Sequence, residues 1–350
     1  MKKAVIMAGG QGTRLRPLTN HLPKPMVPIL SRPCLEYIIH YLMSYGITDI
    51  AMTVNYKSDQ IKDYFGNGES LGVTITYFDE ATPLGTAGGV KNCEYFLDEP
   101  FLVISCDNIA TIDINKAIQF HQQKKGIATL ILTQAEDPSL FGVVKTNDQG
   151  KIIQFIEKPK DPPLHLNAIN TGIYILEPTI LETIPPRQKI DFGKDVFPNL
   201  LQKGIPLYGY SSESYWRDIG SLKSYCQTQF DMLCQHHQFP TINKLFSTDH
   251  IMIDPSTEIH PTVEIEPPTY IGAHCKIGPH VRIRPHTILG DHVTISQDSI
   301  LSNTIVWSHV NVGNNVHLDQ CIVCHYTWID DHTHIDRSII TNQCKHSPFT

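Results

Sequence analysis

The sequence predicts an α/β domain with a doubly wound parallel sheet, followed by a coil of short parallel strands. Two observations support this. Segments typical of strands and helices alternate up to about residue 135, as in a parallel sheet with helical crossovers. After about residue 250, aliphatic residues recur every six positions instead. The predicted boundaries are 1–235 for the α/β domain, 236–250 for a linker and 251–350 for the coil.

The first element is a strand at residues 4–7, which is apolar without polar alternation, as in a strand buried on both faces. A helix is predicted to begin at Ser31–Pro33 and to stop at Gly46, because its apolar residues share one face: Leu35, Ile38, Ile39 and Leu42. The next predicted elements are a strand at 49–54, a helix at 58–65, strands at 73–78 and 101–105, a helix at 114–124 and a strand at 128–133.

The alternation loosens between about residues 140 and 220. Strand-like runs at 141–144, 152–156 and 173–176 predict a second, smaller sheet that covers the site. Residues 195–202 and 221–234 have the pattern of helices, and the second of these is expected to lead the chain away from the α/β domain.

The six-residue repeat is carried by eight aliphatic residues: Ile253, Ile259, Ile265, Ile271, Ile277, Ile283, Leu289 and Ile295. A period of six suits a coil of three short strands, in which each turn stacks its aliphatic side chain on the turn before. The pattern resembles the hexapeptide repeat of left-handed parallel β-helices. We expect the register to slip near Trp307–Gly313 and to resume in part at Ile329 and Ile335.

Four histidines share this spacing, and we expect them to stack in one column: His274, His280, His286 and His292. The favoured interpretation is a row of polar turn residues. A metal-binding or pH-sensing ladder is one alternative. A catalytic histidine for acyl transfer, as in acetyltransferases with this coil, is another.

Bulk composition argues against several functions. A net charge of −7 and a pI near 6.2 do not suit binding to nucleic acid or to anionic membranes. No apolar run approaches the roughly 18 residues that span a bilayer. Nine cysteines without framework spacing indicate reduced thiols and a cytoplasmic location. Cys321 and Cys324 form a C-x-x-C without a second pair, which does not indicate zinc or redox chemistry.

Residues 9–25 have the composition of a polyphosphate site. Their glycines follow the first strand, where successive N–H groups of a turn can cradle phosphate oxygens. Arg14 and Arg16 add guanidinium forks, and Lys24 adds a compact charge between two prolines.

Neither standard phosphate loop fits this stretch. A Walker loop would end in Gly-Lys-Ser/Thr, and the helix of a dinucleotide fingerprint would be broken by Pro17 and Pro23. The stretch instead resembles the signature of the sugar-nucleotidyltransferases, G-x-G-T-R-x-x-P-x-T followed by P-K-P. The resemblance implies a Rossmann-like, GT-A-like nucleotidyltransferase domain. It also implies that a sugar 1-phosphate oxygen attacks the α-phosphorus of an NTP and expels pyrophosphate.

The resemblance assigns roles within this signature. Arg14 would hold the β- and γ-phosphates and the departing pyrophosphate, and Lys24 would hold the α-phosphate. The nucleotide-binding turn would comprise Gly9, Gly10, Gly12 and Thr13. Positioning and electrostatics can supply most of the catalysis of such a reaction.

Two aspartates are candidate Mg²⁺ ligands. Asp107 follows the strand at 101–105, where a carboxylate suits a hard cation that carries phosphates. Asp218 lies in Trp216-Arg217-Asp218-Ile219-Gly220, which resembles the family's W-x-D-I-G and would complete the site. The alternatives are a helix N-cap before Ile109 for Asp107, and a loop salt bridge with Arg217 for Asp218.

The run PLGTAGG at residues 83–89 precedes a helical run and resembles the family's nucleotide-base loop, with Gly85 and Thr86 as nucleotide-binding residues. Glu80 could accept from both N1–H and N2–H₂ of guanine, whereas thymine or uracil offers one such donor. The sequence PLGTAG within this run is similar to that of mannose-1-phosphate guanylyltransferases, and this resemblance favours GTP as the nucleotide.

The run Phe155-Ile156-Glu157-Lys158-Pro159 resembles the family's F-x-E-K-P sugar motif. Glu157 would accept from sugar hydroxyls, and Lys158 would bind the sugar phosphate. Gly142 and Asn170 would form the remaining wall of the pocket. The alternative is that Glu157 and Lys158 only solvate a loop.

The sequence therefore predicts an enzyme that makes GDP-mannose and pyrophosphate from GTP and mannose 1-phosphate with Mg²⁺. One alternative is the same chemistry on a heptose or glucose phosphate with another NTP. A second is a catalytically silent regulatory paralogue, but Arg14, Lys24, Asp107 and Asp218 are all present. A third is acyl transfer by the coil. Homo-oligomers through the coil are expected.

Overall fold

The computed structural model describes residues 1–161, 168–234, 239, 250–342 and 347–348. Its contacts divide the chain into two compact units. The first comprises Met1–Thr13, His21–Met26 and Cys34–Gly220, and the second comprises Arg14–Asn20, Val27–Pro33 and Ser221–Thr350. Apart from residues 239 and 250, the predicted linker at 236–250 lies outside the described residues, so the domain boundaries stay a prediction.

The α/β part begins with strands β1 (Lys3–Ala8), β2 (Pro28–Ile29) and β3 (Arg32–Pro33). The elements from α1 to β7 are α1 (Cys34–Ser44), β4 (Asp49–Val54), α2 (Ser58–Phe65), β5 (Thr74–Asp79), α3 (Gly85–Asn92), β6 (Phe101–Ser105) and β7 (Asn108–Ala110). Those from α4 to α6 are α4 (Ile114–Lys124), β8 (Ala128–Gln134), β9 (Gly142–Thr146), β10 (Ile152–Glu157), β11 (Ala168–Leu176), α5 (Phe197–Gln202), β12 (Leu207–Ser211), β13 (Trp216–Asp218) and α6 (Leu222–Cys234).

The first unit is built on one mixed sheet of nine strands, with β10-β9-β11-β6-β1-β4-β5 in order, β8 paired with β11, and β12 paired with β8. Strands β6, β1, β4 and β5 are parallel, which confirms the predicted α/β class. The prediction of a second, smaller sheet from residues 141–176 is wrong. Strand β11 pairs antiparallel with β6, because its Ile173–Leu176 segment continues the buried centre of the main sheet.

Two predicted helix starts are also displaced. Arg32–Pro33 forms a short strand with Pro28–Ile29, so α1 begins at Cys34. The helix expected from Asp195 is a π-helix over Phe192–Val196 that continues into α5. The side chain of Asp191 caps this π-helix by accepting from the N–H groups of Gly193 and Lys194.

In the second unit, α6 holds the segment before β3 through buried hydrogen bonds. Gln229 accepts from the Leu30 N–H at 2.7 Å and donates to the Pro28 carbonyl at 2.8 Å. The Tyr225 hydroxyl also donates to Pro28, at 3.0 Å, and accepts from the Trp307 indole at 2.8 Å. These bonds satisfy polar groups that would be costly to bury unpaired.

The rest of the second unit is a parallel β-helix of short strands, β14 to β30 in chain order: Ile251–Ile253, Glu258–Ile259, Glu264–Ile265, Thr269–Ile271, Lys276–Ile277, Arg282–Ile283, Thr287–Leu289, Thr294–Ile295, Ile300–Ser302, Ile305–Val306, Asn311–Val312, His317–Asp319, Ile322–Val323, Trp328–Ile329, His334–Asp336, Ser338–Ile340 and Ser347–Pro348. They stack in three ladders of seven, five and five strands, which are parallel except for β30, where the pairing with β29 is antiparallel. The arrangement is consistent with the predicted left-handed form. The aliphatic residues of the repeat from Ile271 to Ile295 lie in its core, and Ile259 and Ile265 pack against that core, whereas Ile253 at the start of the repeat is exposed.

The register slip differs from the prediction. Ile271 pairs with Leu289, 18 positions later, but Leu289 pairs with Val306, 17 positions later. One residue is therefore lost at the corner that contains Asn303, and the next two coils keep the 17-residue length. The region Trp307–Gly313, where a slip was expected, lies in register, because the shortening had already occurred.

The prediction of a single histidine column is wrong as well. Residues six apart occupy successive corners of a three-stranded coil, so residues a whole coil apart stack. His274 stacks on His292 with ring centroids 5.0 Å apart, and His309 and Tyr326 continue the column at 4.8 and 5.1 Å. His286 lies at another corner, against Phe230.

Eight cysteines within the described residues are free thiols, among them Cys321 and Cys324, which are both buried. No helix in this part of the chain is long and apolar enough to cross a membrane.

Candidate active site

The carboxyl ends of β1 and β6 lie side by side, as parallel pairing requires. Beyond the last paired residues of the two strands, the Cys106 N–H donates to the Met7 carbonyl at 3.2 Å. Asp107, the next residue, therefore lies beside the glycine turn that follows β1. Ligands of open α/β sheets sit at this edge. The N-cap alternative for Asp107 is wrong, because strand β7 and not a helix begins at Asn108.

A two-stranded sheet brings the second aspartate to the same place. Strand β13 pairs antiparallel with β7, with Asp218 opposite Asn108. The Ile219 N–H donates to the Asp107 carbonyl at 2.9 Å, which extends the pairing by one step. Asp218 therefore belongs to a strand and not to a loop.

Lys24 lies between these carboxylates. It begins a short 3-10 helix, its side chain is 11% exposed, and its ammonium donates to Asp107 and lies 3.7 Å from Asp218. Burial alone would lower the pKa of Lys24, but the two carboxylates raise it above its usual value. Burial likewise opposes ionisation of Asp107, yet the Lys24 charge and hydrogen bonds keep the pKa of that carboxyl below its usual range. Lys24 and Asp107 are thus held ionised together.

These residues fit a divalent cation. Asp107 and Asp218 face the same ammonium, which occupies the position of a cation between hard oxygen donors. Mg²⁺ is commonly held by one or two carboxylates, with water and substrate phosphates completing its octahedron. Within the described residues, no cluster of three or more His, Cys, Asp or Glu side chains forms a metal site, so a protein-only cage does not occur there.

Glu80 lies directly after β5 and is 8% exposed. Its Oε2 accepts from the Leu84 N–H at 2.9 Å, which bends the chain into α3. A Cβ at Gly89 would lie 2.5 Å from Glu80 Oε1, and one at Gly9 would lie 3.6 Å from both oxygens. The carboxylate therefore lies close to the phosphate turn at Gly9, and its packing against α3 requires a glycine at position 89. Burial raises its pKa.

Gly85 and Thr86 begin helix α3 rather than preceding it, which corrects the predicted base loop. Their neighbour is the chain at 188–192. A Cβ at Gly85 would lie 2.5 Å from the Ile190 carbonyl, so a side chain there would clash. Gly85 also has φ +74°, a conformation that favours glycine. Thr86 Oγ1 accepts from the Phe192 N–H at 2.9 Å.

Glu157 ends β10 opposite Gly142 of β9. A Cβ at Gly142 would lie 2.9 Å from Glu157 Oε2, so this glycine makes room for the carboxylate. Lys158 Nζ lies 3.7 Å from Glu157, which brings the two residues of the sugar motif together. Burial raises the pKa of Glu157, although Lys158 opposes this.

Asn170 lies on β11, and both polar atoms of its side-chain amide form hydrogen bonds. Nδ2 donates to the Tyr174 hydroxyl at 2.9 Å, and Oδ1 accepts from the Gly172 N–H at 3.1 Å. Gly172 has φ +77°, which accounts for a glycine at this bulge of the strand.

The signature residues fall into different units. Gly9, Gly10, Gly12 and Thr13 belong to the first unit, with Lys24, Asp107 and Asp218. Arg14 is exposed, forms part of a 3-10 helix over Thr13–Leu15, and is assigned to the second unit. Its role in binding phosphate stays a prediction.

The sequence did not point to Asp191. Its Oδ2 accepts from the Thr86 hydroxyl at 3.1 Å, and Glu157 lies close enough to be influenced by its charge. An aspartate two residues before a glycine is a common turn signal, so local pattern alone could not have marked it.

Two family profiles match the chain: Nucleotidyl transferase over residues 3–234, and GMPPB C-terminal domain over residues 247–343. The chain belongs to the nucleotidyl transferase family. Its members generally use a divalent metal, which agrees with the paired aspartates of this nucleotidyl transferase.

Individual relatives carry different substrate names. The chain is 39% identical over 239 residues to a UTP–glucose-1-phosphate uridylyltransferase of Synechocystis, covering 64% of this chain and 62% of the relative. It is 35% identical over 232 residues to a mannose-1-phosphate guanylyltransferase of Mycobacterium tuberculosis, covering 66% of this chain and 64% of the relative. The alignments thus span less than two thirds of the length of both relatives. A crystal structure described as a glucose-1-phosphate thymidylyltransferase from Bacillus anthracis superposes with a TM-score of 0.60 and 28% identity, covering 65% of this chain and 94% of that one.

Proposed function

We propose that this protein transfers a guanylyl group from GTP to mannose 1-phosphate, which gives GDP-mannose and pyrophosphate. The observation that carries the proposal is the meeting of Lys24, Asp107 and Asp218 beside the glycine turn after β1. A reaction between two anionic phosphates needs such a place, where charge is neutralised and both reactants are oriented.

Lys24 is the cation that this chain supplies at the α-phosphate. Its raised pKa keeps the ammonium charged, so it can approach phosphate oxygens when they displace Asp107 as its partner. Amides of the glycine turn would bind phosphate oxygens from the other side. Arg14, just beyond this turn in the chain, is proposed for the departing pyrophosphate.

Asp107 and Asp218 would hold Mg²⁺, which when bound neutralises charge on the phosphates. Asp218 lies on β13, and Asp107 directly precedes its partner strand β7. Their separation is therefore set by backbone hydrogen bonds, including the one from the Ile219 N–H to the Asp107 carbonyl. The carboxylates also orient Lys24. No covalent intermediate is needed for this displacement.

Recognition of guanine is assigned to Glu80. Its Oε1 is not occupied by the Leu84 bond, and Oε2 keeps a second lone pair, so the carboxylate can accept two donors from one base edge. The guanylyltransferase named among the relatives supports this choice. Glu157 and Lys158 are proposed for the hydroxyls and the phosphate of the sugar.

A second candidate is the same transfer with another base or sugar. It is favoured by the uridylyltransferase relative, which is 39% identical, and by the resemblance to a thymidylyltransferase structure. Glu80 argues for guanine, because uracil and thymine each offer only one N–H donor on the edge that it would read.

Release of pyrophosphate tests the proposal. We expect Mg²⁺-dependent release to be fastest with GTP and mannose 1-phosphate in a panel of four NTPs crossed with the 1-phosphates of mannose, glucose and a heptose. A faster reaction with another pair would transfer the assignment to that pair. Absence of release with every pair would contradict nucleotidyl transfer and favour a ligand-sensing role.

A further inference from the structure

The segment Ile190–Gly193, here called the clamp segment, joins the proposed nucleotide and sugar sites. At its beginning it pairs with the start of helix α3. The Ile190 N–H donates to the Leu84 carbonyl at 2.9 Å, and the Ile190 carbonyl accepts from the N–H groups of Ala87 and Gly88 at 3.0 and 3.1 Å. Three backbone hydrogen bonds therefore join the clamp segment to the base loop.

Asp191 fixes the middle of the clamp segment. One carboxylate oxygen accepts from Thr86 Oγ1 at 3.1 Å, and the other accepts from the N–H groups of Gly193 and Lys194 at 3.1 and 3.3 Å. The Phe192 N–H closes the loop by donating to Thr86 Oγ1 at 2.9 Å. A single side chain thus ties helix α3 to the backbone on either side of Gly193.

Gly193 carries the connection to the sugar motif. A Cβ at this position would lie 2.4 Å from Glu157 Oε2, so the carboxylate rests directly on the Gly193 backbone. A side chain at position 193 would therefore displace Glu157. The Asp191 charge also raises the pKa of Glu157, though less than burial does.

A second contact runs through Phe192. Its ring packs against Tyr174, with ring centroids 5.3 Å apart, and the Tyr174 hydroxyl accepts from Asn170. The clamp segment thus contacts the proposed sugar site twice, through Gly193 at Glu157 and through Phe192 at Tyr174, which bonds to Asn170.

We propose that Asp191 is a positioning residue that couples nucleotide binding to sugar 1-phosphate binding. The inference rests on the proposed function. A nucleotide that orders the start of α3 would fix the position of Thr86. Asp191 would then hold Gly193 in place relative to Thr86. Gly193 in turn would position the Glu157 carboxylate for the sugar hydroxyls. Such coupling is reciprocal, because each ligand must change the affinity of the other by the same factor.

Titration calorimetry of mannose 1-phosphate, with and without saturating α,β-methylene-GTP, tests the coupling without turnover. In the wild-type protein we expect the nucleotide to tighten sugar binding at least about fivefold, the lower end of common coupling factors. Asp191→Ala should reduce this factor below about twofold. Asp191→Asn keeps an acceptor for the Gly193 and Lys194 N–H groups, and its amide NH₂ can donate to Thr86 Oγ1 where the aspartate accepts from it, so this variant should retain most of the coupling. Lys189→Ala, an exposed change in the preceding residues, is the matched control.

A coupling factor in Asp191→Ala equal to that of the wild type would overturn the proposal, as would a wild type with no coupling. Should Asp191→Ala unfold, Thr86→Val removes the hydroxyl that bonds both Asp191 and the Phe192 N–H, and it should abolish coupling when sugar binding is measured at a nucleotide concentration shown to saturate this variant. Failure of the proposed function is a separate result: it appears as a wild type that releases no pyrophosphate, whereas failure of the coupling leaves pyrophosphate release intact.

Discussion

The ammonium of Lys24 lies 3.7 Å from the carboxylate of Asp218, while it donates a hydrogen bond to Asp107. One cation is therefore shared by two acids that the backbone pairing of β7 and β13 holds together. The ammonium offsets part of the negative charge of the two carboxylates. Under the proposed function, phosphates and a divalent cation would take the place of these partners.

Asp107→Asn tests the acid closest to Lys24. We expect turnover to fall at least about 100-fold, because the change removes a charge at the point where phosphates are held, an effect of the size seen for groups that stabilise transition states. The fold should be retained, since asparagine can still accept from Lys24. Pyrophosphate release and thermal unfolding measure the two effects. Asp148→Asn, an exposed site, is the control, and a near-normal rate in Asp107→Asn would remove Asp107 from the metal site.

Lys24→Met tests whether the aspartates form a cation site. Without the ammonium, two carboxylates face each other, and such a pair gains more from a bound cation. We expect the unfolding temperature in EDTA to fall and added Mg²⁺ to raise it by more than in the wild type, because a ligand of the folded state stabilises it. Lys203→Met, on an exposed site, should respond as the wild type does. An identical Mg²⁺ shift in Lys24→Met and wild type would count against the site.

Glu80→Gln tests the reading of the base. Glutamine can still accept from the Leu84 N–H, so the loop should keep its shape, but one acceptor of the base edge becomes a donor. We expect kcat/KM for GTP to fall at least about tenfold relative to the other NTPs, the size of one discriminating hydrogen bond. A proportional loss with all four nucleotides would instead mean that Glu80 only supports the loop.

His121 predicts how stability depends on pH. The side chain is 3% exposed and bonds to Thr129 and Glu177, and burial lowers its pKa in the folded state. The unfolded chain then binds a proton more readily than the folded one, so its contribution to stability is complete above the unfolded pKa of about 6.5 and is lost as the pH falls below it. We expect the unfolding temperature of His121→Gln to change less between pH 7 and pH 5 than that of the wild type. His21→Gln, an exposed histidine, should not flatten the profile.

Local pattern determined much of the secondary structure. The strands at 49–54 and 101–105 and the helices at 58–65 and 114–124 begin and end where their apolar periodicity predicts, because periodicity and caps are properties of neighbouring residues. The aliphatic repeat from Ile253 onwards likewise predicted the β-helix. The sequence also singled out Lys24, Asp107 and Asp218, which the structure brings together, although their roles stay predictions.

Tertiary structure decided which elements meet. Strand β11 joined the main sheet, Asp218 reached Asp107 through β13, and His274 stacked on His292 rather than on His280. An apolar pattern states that a face is buried but not what covers it, so partners distant in the chain cannot be read from it. Asp191 is the clearest case: its neighbours in sequence describe a turn, and only the folded chain sets it between Thr86 and Gly193, beside Glu157.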